Sequence, residues 1–387
     1  DRSLKIFKEY KMKNQVSLLR KESFGGTISN AISGKRIYIT LPEFQWIKDE
    51  MVVPYDIQVE LKATSNKVII REPNVLPVDN FSAPDVIFFE LSRECNLYCA
   101  HCLNNSGEVL PAEIPHKRRV ALLDDFCKAG VQEIRFTGGE PLLVPQIFDY
   151  ISKIREDGLR ASIGTNGTLV DAMVVKKLSK ADLNVAIVSV DGLENKHDSI
   201  RGVGTFRKTL KGIELLIEAH IPVRVNLVAM KSNLAEIPNV VKYFFDRNVP
   251  IMIRRLIPSG RAIGTQDRLT TEDYNFLRSK LEQFLSSPKK NVSGHYLKEE
   301  EIIPRIKLPF AWHKCKAGRR GLSISPDGRI HTCGFLEPLG VSSIGNFRTK
   351  NLSSVWGHSC APETHCMAAA MAKKDNFVQE KTRRGNK

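Results

Sequence analysis

From residue 84 onward the chain alternates short, nearly unbroken apolar runs with longer amphipathic stretches. The apolar runs fall at residues 86–91, 133–136, 160–164, 185–190, 223–228 and 251–256 and are rich in Val and Ile. Between them, residues 116–129, 145–157, 171–179, 205–219 and 234–247 carry apolar positions at the helical period. β-Branched strand cores without polar alternation belong to a parallel sheet covered on both faces. Six strand–helix units are too few for a closed eight-fold barrel. The pattern therefore predicts an α/β fold, a partial (β/α)6 TIM-like barrel over residues 81–290. In barrels of this kind the chemistry sits at the C-terminal ends of the strands.

The flanking regions lack this alternation. Residues 1–80 read as a small α+β segment. Strands are predicted at 16–20 and 35–40 flanking Phe24-Gly-Gly and Ser33-Gly, with a helix over 41–51 that has Pro42 in its first turn. A second hairpin is expected from 56–61 and 67–71. Beyond a helical stretch at 271–286, residues 291–370 form a cysteine-rich C-terminal domain. There, 322–325 and 329–332 read as a hairpin around Pro326-Asp-Gly. That turn brings Cys315 and Cys333 together, and Cys360 and Cys366 follow. Residues 371–387 are a basic tail expected to fray.

Composition narrows the class. The chain has 387 residues, 42% hydrophobic and 26% charged, as an ordinary globular protein does. No apolar run approaches the ~18 residues of a membrane span, and the N-terminus lacks a secretory signal. Eight cysteines clustered in a chain this long point to metal or redox chemistry in a reducing cytoplasm. The net charge of +15 is widely dispersed, with no aromatic-interleaved basic stripe, so nucleic acid is not the expected partner. An acidic peptide or an anionic cofactor suits the same field.

The first predicted strand feeds Glu90-Leu-Ser-Arg-Glu-Cys-Asn-Leu-Tyr-Cys-Ala-His-Cys, which carries Cys95, Cys99 and Cys102. Three thiols in one short loop can reach three corners of a small metal cluster and leave the fourth open. A cuboidal iron–sulfur cluster normally takes four thiolates, so a set of three leaves one iron free for a ligand; a zinc knuckle is the alternative. The second strand ends in Thr137-Gly-Gly-Glu-Pro141, where Gly138 and Gly139 permit close backbone approach to a ligand. The third ends in Gly164-Thr-Asn-Gly-Thr168, so Thr165 and Asn166 can hydrogen-bond a ribose or carboxylate. The fourth ends in Ser189-Val-Asp-Gly192, with Arg201 shortly after. Asp191 can accept from ribose hydroxyls, and Arg201 offers a fork suited to a carboxylate. Asn226 lies on the fifth strand, and Arg254, Arg255 and Pro258-Ser-Gly260 close the sixth.

Residues 84–260, with the cysteine loop and Gly-Gly-Glu-Pro, closely resemble the catalytic domain of radical S-adenosylmethionine (SAM) enzymes. The resemblance implies that Cys95, Cys99 and Cys102 hold a [4Fe-4S] cluster whose open iron chelates S-adenosyl-L-methionine. One electron then cleaves the sulfonium to methionine and a 5′-deoxyadenosyl radical, supplied by a flavodoxin- or ferredoxin-type donor. It further implies that Gly138, Gly139 and Glu140 line the methionine amino group and that Ser189, Asp191 and Arg201 lie along the cofactor. Tyr98 and His101 would pack against cluster or adenine. Cys315, Cys333, Cys360 and Cys366 can close a second site, zinc being the simplest occupant. The stretch resembles the twitch extension of such enzymes, a short relative of SPASM, which implies an auxiliary [4Fe-4S] cluster. Cys127 belongs to neither set and is expected to be an inert buried thiol.

Leu19-Arg-Lys-Glu-Ser-Phe-Gly-Gly is similar to the start of domains that bind the leader of ribosomally made peptides, which pair a strand edge with the leader. The expected function is radical SAM modification of a precursor peptide. Oxidation of a small molecule in cofactor or metabolite biosynthesis, RNA modification, and a non-catalytic electron carrier or sensor are the alternatives. An electron carrier has no need of an open iron.

Overall fold

The computed structural model describes residues 16–73, 76, 81–286, 306–307, 317–318 and 320–356. Cys315, Cys360, Cys366, the expected Cys315–Cys333 approach and the basic tail lie outside the described residues. No helix among the described residues is long and apolar enough to cross a membrane.

The chain opens with strands β1 (Ser17–Glu22), β2 (Gly25–Asn30) and β3 (Arg36–Thr40), helices Leu41–Glu50 and Tyr55–Leu61, and strand β4 (Val68–Arg71). The sheet runs β3-β2-β1-β4, antiparallel except that β4 lies parallel to β1. Leu19, Ile28, Phe44, Ile47, Ile57 and Leu61 form its own small core. The first helix starts from a capping box in which Glu43 Oε2 accepts from Thr40 N at 2.7 Å.

One expectation for this region is corrected, and one element is added. Residues 56–61 are helical, because Ile57 and Leu61, one turn apart, are the pair that is buried, and β4 therefore joins β1 rather than a hairpin. Residues 25–30 are a further strand, in the stretch for which no element was predicted between 16–20 and 35–40. The glycines answer to packing: a Cβ on Gly25 would lie 2.4 Å from Ile39 O, and one on Gly26 2.7 Å from Phe44 Cδ2.

The barrel follows the predicted pattern. Strands β5 (Val86–Glu90), β6 (Glu133–Thr137), β7 (Arg160–Thr165), β8 (Val185–Ser189), β9 (Val223–Ala229) and β10 (Ile251–Arg255) lie side by side in chain order, each parallel to the next. Helices His116–Ala129, Ile147–Glu156, Ala172–Lys180, Thr205–Glu218 and Ile237–Asp246 cover one face. Ile87, Phe89, Phe136, Val188 and Leu227 point into that cover and form the main core. Alternate residues, including Phe88, Arg135, Asn226 and Arg254, face the barrel interior. A helix at Glu194–Arg201 went unforeseen, because it is charged throughout and buries only His197 and Ile200.

The sheet continues past the six strands on both sides. Strand β11 (Ile306–Lys307) pairs with β10, and β12 (Gly321–Ile324) pairs with β5. The predicted hairpin is present as β12 and β13 (Arg329–His331), with β14 (Gly345–Asn346) beyond it.

One buried carboxylate ties these parts together. Asp85, 1% exposed, sits just before β5. Its Oδ1 accepts from Arg20 Nη2 of β1 at 3.2 Å, and its Oδ2 from Arg36 of β3 and from Arg320, next to β12. Removing one partner of a buried ion pair costs about 3–5 kcal/mol. Asp85→Asn should therefore lower Tm by roughly 10 °C in a thermal melt. An unchanged Tm would mean that the three guanidiniums do not depend on this carboxylate.

Candidate active site

The loop after β5 has almost no regular structure, so its shape comes from what grips it. Within the loop, Cys95 N donates to Gly107 O (3.0 Å), Gly107 N to Arg93 O (2.9 Å) and Cys102 N to Cys99 O (3.2 Å). All three thiols are free. Each sulfur has an N–H donor: Leu97 N to Cys95 Sγ at 3.5 Å, Ser106 N to Cys102 Sγ at 3.4 Å, and Arg201 Nη1 to Cys99 Sγ at 3.8 Å. Burial pushes the Cys95 thiol up to about 11 and raises that of Cys99, the latter against the pull of Arg201.

Among the described residues, no three His, Cys, Asp or Glu side chains gather tightly enough to hold one metal ion. A cluster makes a different demand, because each thiolate takes its own iron. Three thiols with N–H donors aimed at their sulfurs fit such a group, since donors to sulfur are among the levers that tune it.

Strand ends clamp the loop from two sides. After β6, Gly139 N donates to Ser92 O (2.7 Å) and Glu140 N to Glu94 O (2.8 Å). A Cβ on Gly138 would lie 2.4 Å from Ser92 O, and one on Gly139 2.0 Å from Glu94 O. The glycine pair therefore admits the backbone of the cysteine loop. After β10, Arg261 Nε donates to Cys99 O (2.7 Å), Arg261 N to Cys102 O (3.0 Å) and Ser259 Oγ to Leu103 O (3.1 Å). The Arg261 guanidinium also lies 3.8 Å over the Tyr98 ring, which is 74% exposed.

Glu140 is the acceptor that joins β6 to β7. Its carboxylate takes Leu142 N (3.1 Å), Thr165 Oγ1 (2.8 Å) and Asn166 N (2.7 Å). Burial still pushes the group up to about 6, these hydrogen bonds opposing it. Asn166 Nδ2 then donates to Asn96 Oδ1 in the cysteine loop (2.8 Å), and Asn96 Nδ2 to Thr168 Oγ1 (2.9 Å).

Asp191 is the ionic centre and is fully buried. Its Oδ2 accepts from Arg201 Nε at 2.6 Å and lies 3.0 Å from His101 Nε2, while Oδ1 accepts from Val228 N at 2.8 Å. Burial works against ionisation, but Arg201 and His101 outweigh it and hold the carboxyl well below the usual carboxylate range. A chain of contacts thus runs from β8 through Arg201 to Cys99. Ser189, half-buried, pairs in register with Asn226 on β9, whose Oδ1 is buried without a hydrogen-bond partner among the described residues.

The structure therefore brings together Cys95, Cys99, Cys102, Glu140, Thr165, Asn166, His101, Asp191 and Arg201 around one loop. Cys333 follows β13, is half-buried and lies within the field of Arg254. Cys127 is buried, its thiol pushed far up by burial. Four residues that the sequence did not flag take part: Asn96, Arg261, Asn233, whose Nδ2 donates to Asp191 O (2.8 Å), and Glu90. Glu90 ends β5 inside the barrel, 3.3 Å from Arg93 Nη2. Burial pushes it up to about 7, Arg93 opposing and Glu337 adding to the rise. A carboxylate closing a barrel strand was the available signal.

Residues 89–244 match the Radical SAM superfamily model. The chain is 30% identical over 294 residues to an AdoMet-dependent heme synthase of Methanosarcina barkeri, spanning 71% of this chain and 82% of that protein. It is 26% identical over 261 residues to the mycofactocin maturase MftC of Mycobacterium tuberculosis, 65% of each chain. Its fold matches Streptococcus suis SuiB, solved bound to precursor peptide SuiA, at a TM-score of 0.67 and 17% identity, over 88% of this chain and 87% of that one. The site is that of an enzyme built around a three-cysteine loop. The chain belongs to the radical SAM superfamily, whose members use a [4Fe-4S] cluster and S-adenosylmethionine.

If the glycine pair exists to admit the loop backbone, Gly139→Ala should lower iron bound after anaerobic reconstitution several-fold. Gly164→Ala, whose Cβ would meet nothing closer than 3.6 Å, should retain it. Equal iron in both variants would contradict the clamp.

Proposed function

We propose that this enzyme modifies a ribosomally made precursor peptide by hydrogen abstraction, with residues 16–71 holding part of that peptide. The observation that carries the proposal is where apolar surface is left uncovered. Among the described residues, eight of the fifteen exposed large hydrophobic side chains fall between Phe24 and Val59. Tyr38 (49% exposed), on the edge strand β3, packs against Phe24 at 6.2 Å and Phe81 at 5.8 Å. Concentrated apolar surface marks an interaction site, and an edge strand offers backbone donors and acceptors to an extended chain. The likeness to SuiB supports the proposal, because an overlap of 88% is more than residues 81–387 alone can supply. The fold match therefore reaches into the N-terminal module.

In this proposal Cys95, Cys99 and Cys102 hold the catalytic cluster. Bound there, it supplies the electron that cleaves S-adenosylmethionine to a 5′-deoxyadenosyl radical. Arg201, kept charged by Asp191, neutralises the Cys99 thiolate, and Asn226 Oδ1 accepts a hydrogen bond from the cofactor beside Ser189. Gly138, Gly139, Glu140, Thr165 and Asn166 shape the wall between cofactor and loop, Tyr98 lies at its mouth, and His101 lies inside against Asp191. Cys333, with Cys315, Cys360 and Cys366, holds an auxiliary [4Fe-4S] cluster, and a flavodoxin or ferredoxin delivers the electron.

The 30% identity to a protein named a heme synthase favours a second function, transformation of a small molecule in cofactor biosynthesis. Fluorescence anisotropy with a labelled precursor peptide separates the two. Trp46→Ala and Tyr38→Ala should each weaken peptide binding about 10-fold or more. Unchanged affinity in both variants, or no binding at all alongside small-molecule turnover, would favour the second function.

A further inference from the structure

Three arginines, Arg135, Arg224 and Arg254, face the interior of the barrel, and among the described residues they are not equally matched. Arg135 on β6 is satisfied: it donates to Glu133 Oε1 at 2.6 Å through Nη2 and to Ser162 Oγ at 3.2 Å through Nε, with its guanidinium 4.9 Å from the Phe88 ring. Glu133 is thereby used. Arg224 on β9 faces the same interior, in register with Ile187. Its Nε and one Nη are buried without a hydrogen-bond partner among the described residues. Arg254 on β10, in register with Val228 and so four positions further along the sheet than Arg224, has no carboxylate partner among the described residues, and the Cys333 thiol lies within its field.

Neighbouring guanidiniums add to the effect of burial on both arginines. Burial first, then Arg135 and Arg254, bring Arg224 down to about 10 against the pull of Glu133, and burial with Arg135 does the same to Arg254 against Cys333. Buried charge is ordinarily matched by an opposite charge or by hydrogen bonds. Among the described residues Arg224 has neither, although it faces the barrel interior. Arg224 also stands apart from the ionic centre at Asp191, which already has its own guanidinium in Arg201.

We propose that Arg224 and Arg254 form a receptor inside the barrel for a carboxylate carried by the substrate. The two residues stand on adjacent strands four register positions apart, about 13 Å along the sheet. Two long guanidinium side chains can close that span on one carboxylate held between them in forked pairs. Resting on the radical SAM peptide function above, the receptor takes an acidic side chain or chain terminus of the peptide and fixes which carbon faces the cofactor. For a small-molecule substrate the same receptor takes its carboxylate.

The test is binding to the full-length, anaerobically reconstituted protein, read by calorimetry and by thermal shift without turnover. The probes are glutarate, inorganic phosphate, and the capped tripeptides acetyl-Ala-Glu-Ala-amide and acetyl-Ala-Gln-Ala-amide. Glutarate should bind and raise Tm, and Arg224→Gln and Arg254→Gln should each weaken it about 10-fold or more. Arg224→Lys should weaken it less. Without any probe, Arg224→Gln should melt at or above the wild-type temperature, since it relieves repulsion, whereas a guanidinium serving only structure would lower Tm on removal. Binding of the Glu but not the Gln peptide identifies a peptide side chain as the source, and glutarate binding alone identifies a small carboxylic acid. The proposal is overturned if no carboxylate binds, if phosphate binds as well with the same arginine dependence, or if saturating S-adenosylhomocysteine displaces glutarate, which would assign the arginines to the cofactor. A failure of peptide modification would leave all these readouts in place.

Discussion

A loop with almost no regular structure has to present three thiols in one arrangement, and the rest of the site follows from how that loop is held. The grip is backbone to backbone. Strand β6 reaches it through Gly138 and Gly139, where any side chain would collide with Ser92 O or Glu94 O. The turn after β10 reaches it through Gly260, where a Cβ would lie 2.3 Å from Cys102 O, and through Arg261 on the carbonyl of Cys99. Backbone contacts of this kind leave the thiols free, and they convert the rigidity of a parallel sheet into a fixed loop geometry.

Electrostatics then divides the barrel. On the side of β7 and β8, buried charge is matched: Glu140 collects three donors, and Asp191 collects Arg201, His101 and a backbone amide. Across β9 and β10, Arg224 has buried donors without partners and Arg254 has no carboxylate partner among the described residues, with only the Cys333 thiol in its field. A fully matched network is rigid, and it positions groups whose geometry must not vary. An unmatched one stores affinity for whatever brings the missing charge. In the function proposed above, the matched half is the cofactor wall and the unmatched half the substrate wall. At the base, Asp85 links the barrel to β1, β3 and the approach to β12, so the N-terminal module is anchored beneath the same sheet.

Much of this was legible in the sequence because parallel strands write themselves as unbroken apolar runs. Each of the six runs became a strand, and each strand-end motif was located where barrel chemistry sits. Cys95, Cys99 and Cys102 were visible because their spacing is local. What stayed hidden was non-local. Nothing in Leu322–Ile324 says that it will add to the first barrel strand, nor does Arg261 announce that it will clamp a loop far upstream. Strand β2 was not foreseen between the two predicted strands, since the need of Gly25 and Gly26 for bare Cα atoms comes from Ile39 and Phe44 in other elements. Helix Glu194–Arg201 has no apolar stripe to read, because its task is to carry His197 and Arg201 to a buried aspartate.

The central claim is that the three-cysteine loop holds a cluster that drives S-adenosylmethionine cleavage. Its most direct measurement is iron content and 5′-deoxyadenosine formation after anaerobic reconstitution with iron and sulfide, followed by dithionite and S-adenosylmethionine, in wild type and Cys99→Ala. Wild type should bind iron and release 5′-deoxyadenosine, and Cys99→Ala should release none. Undiminished 5′-deoxyadenosine from Cys99→Ala, or none from fully iron-loaded wild type, would contradict the account.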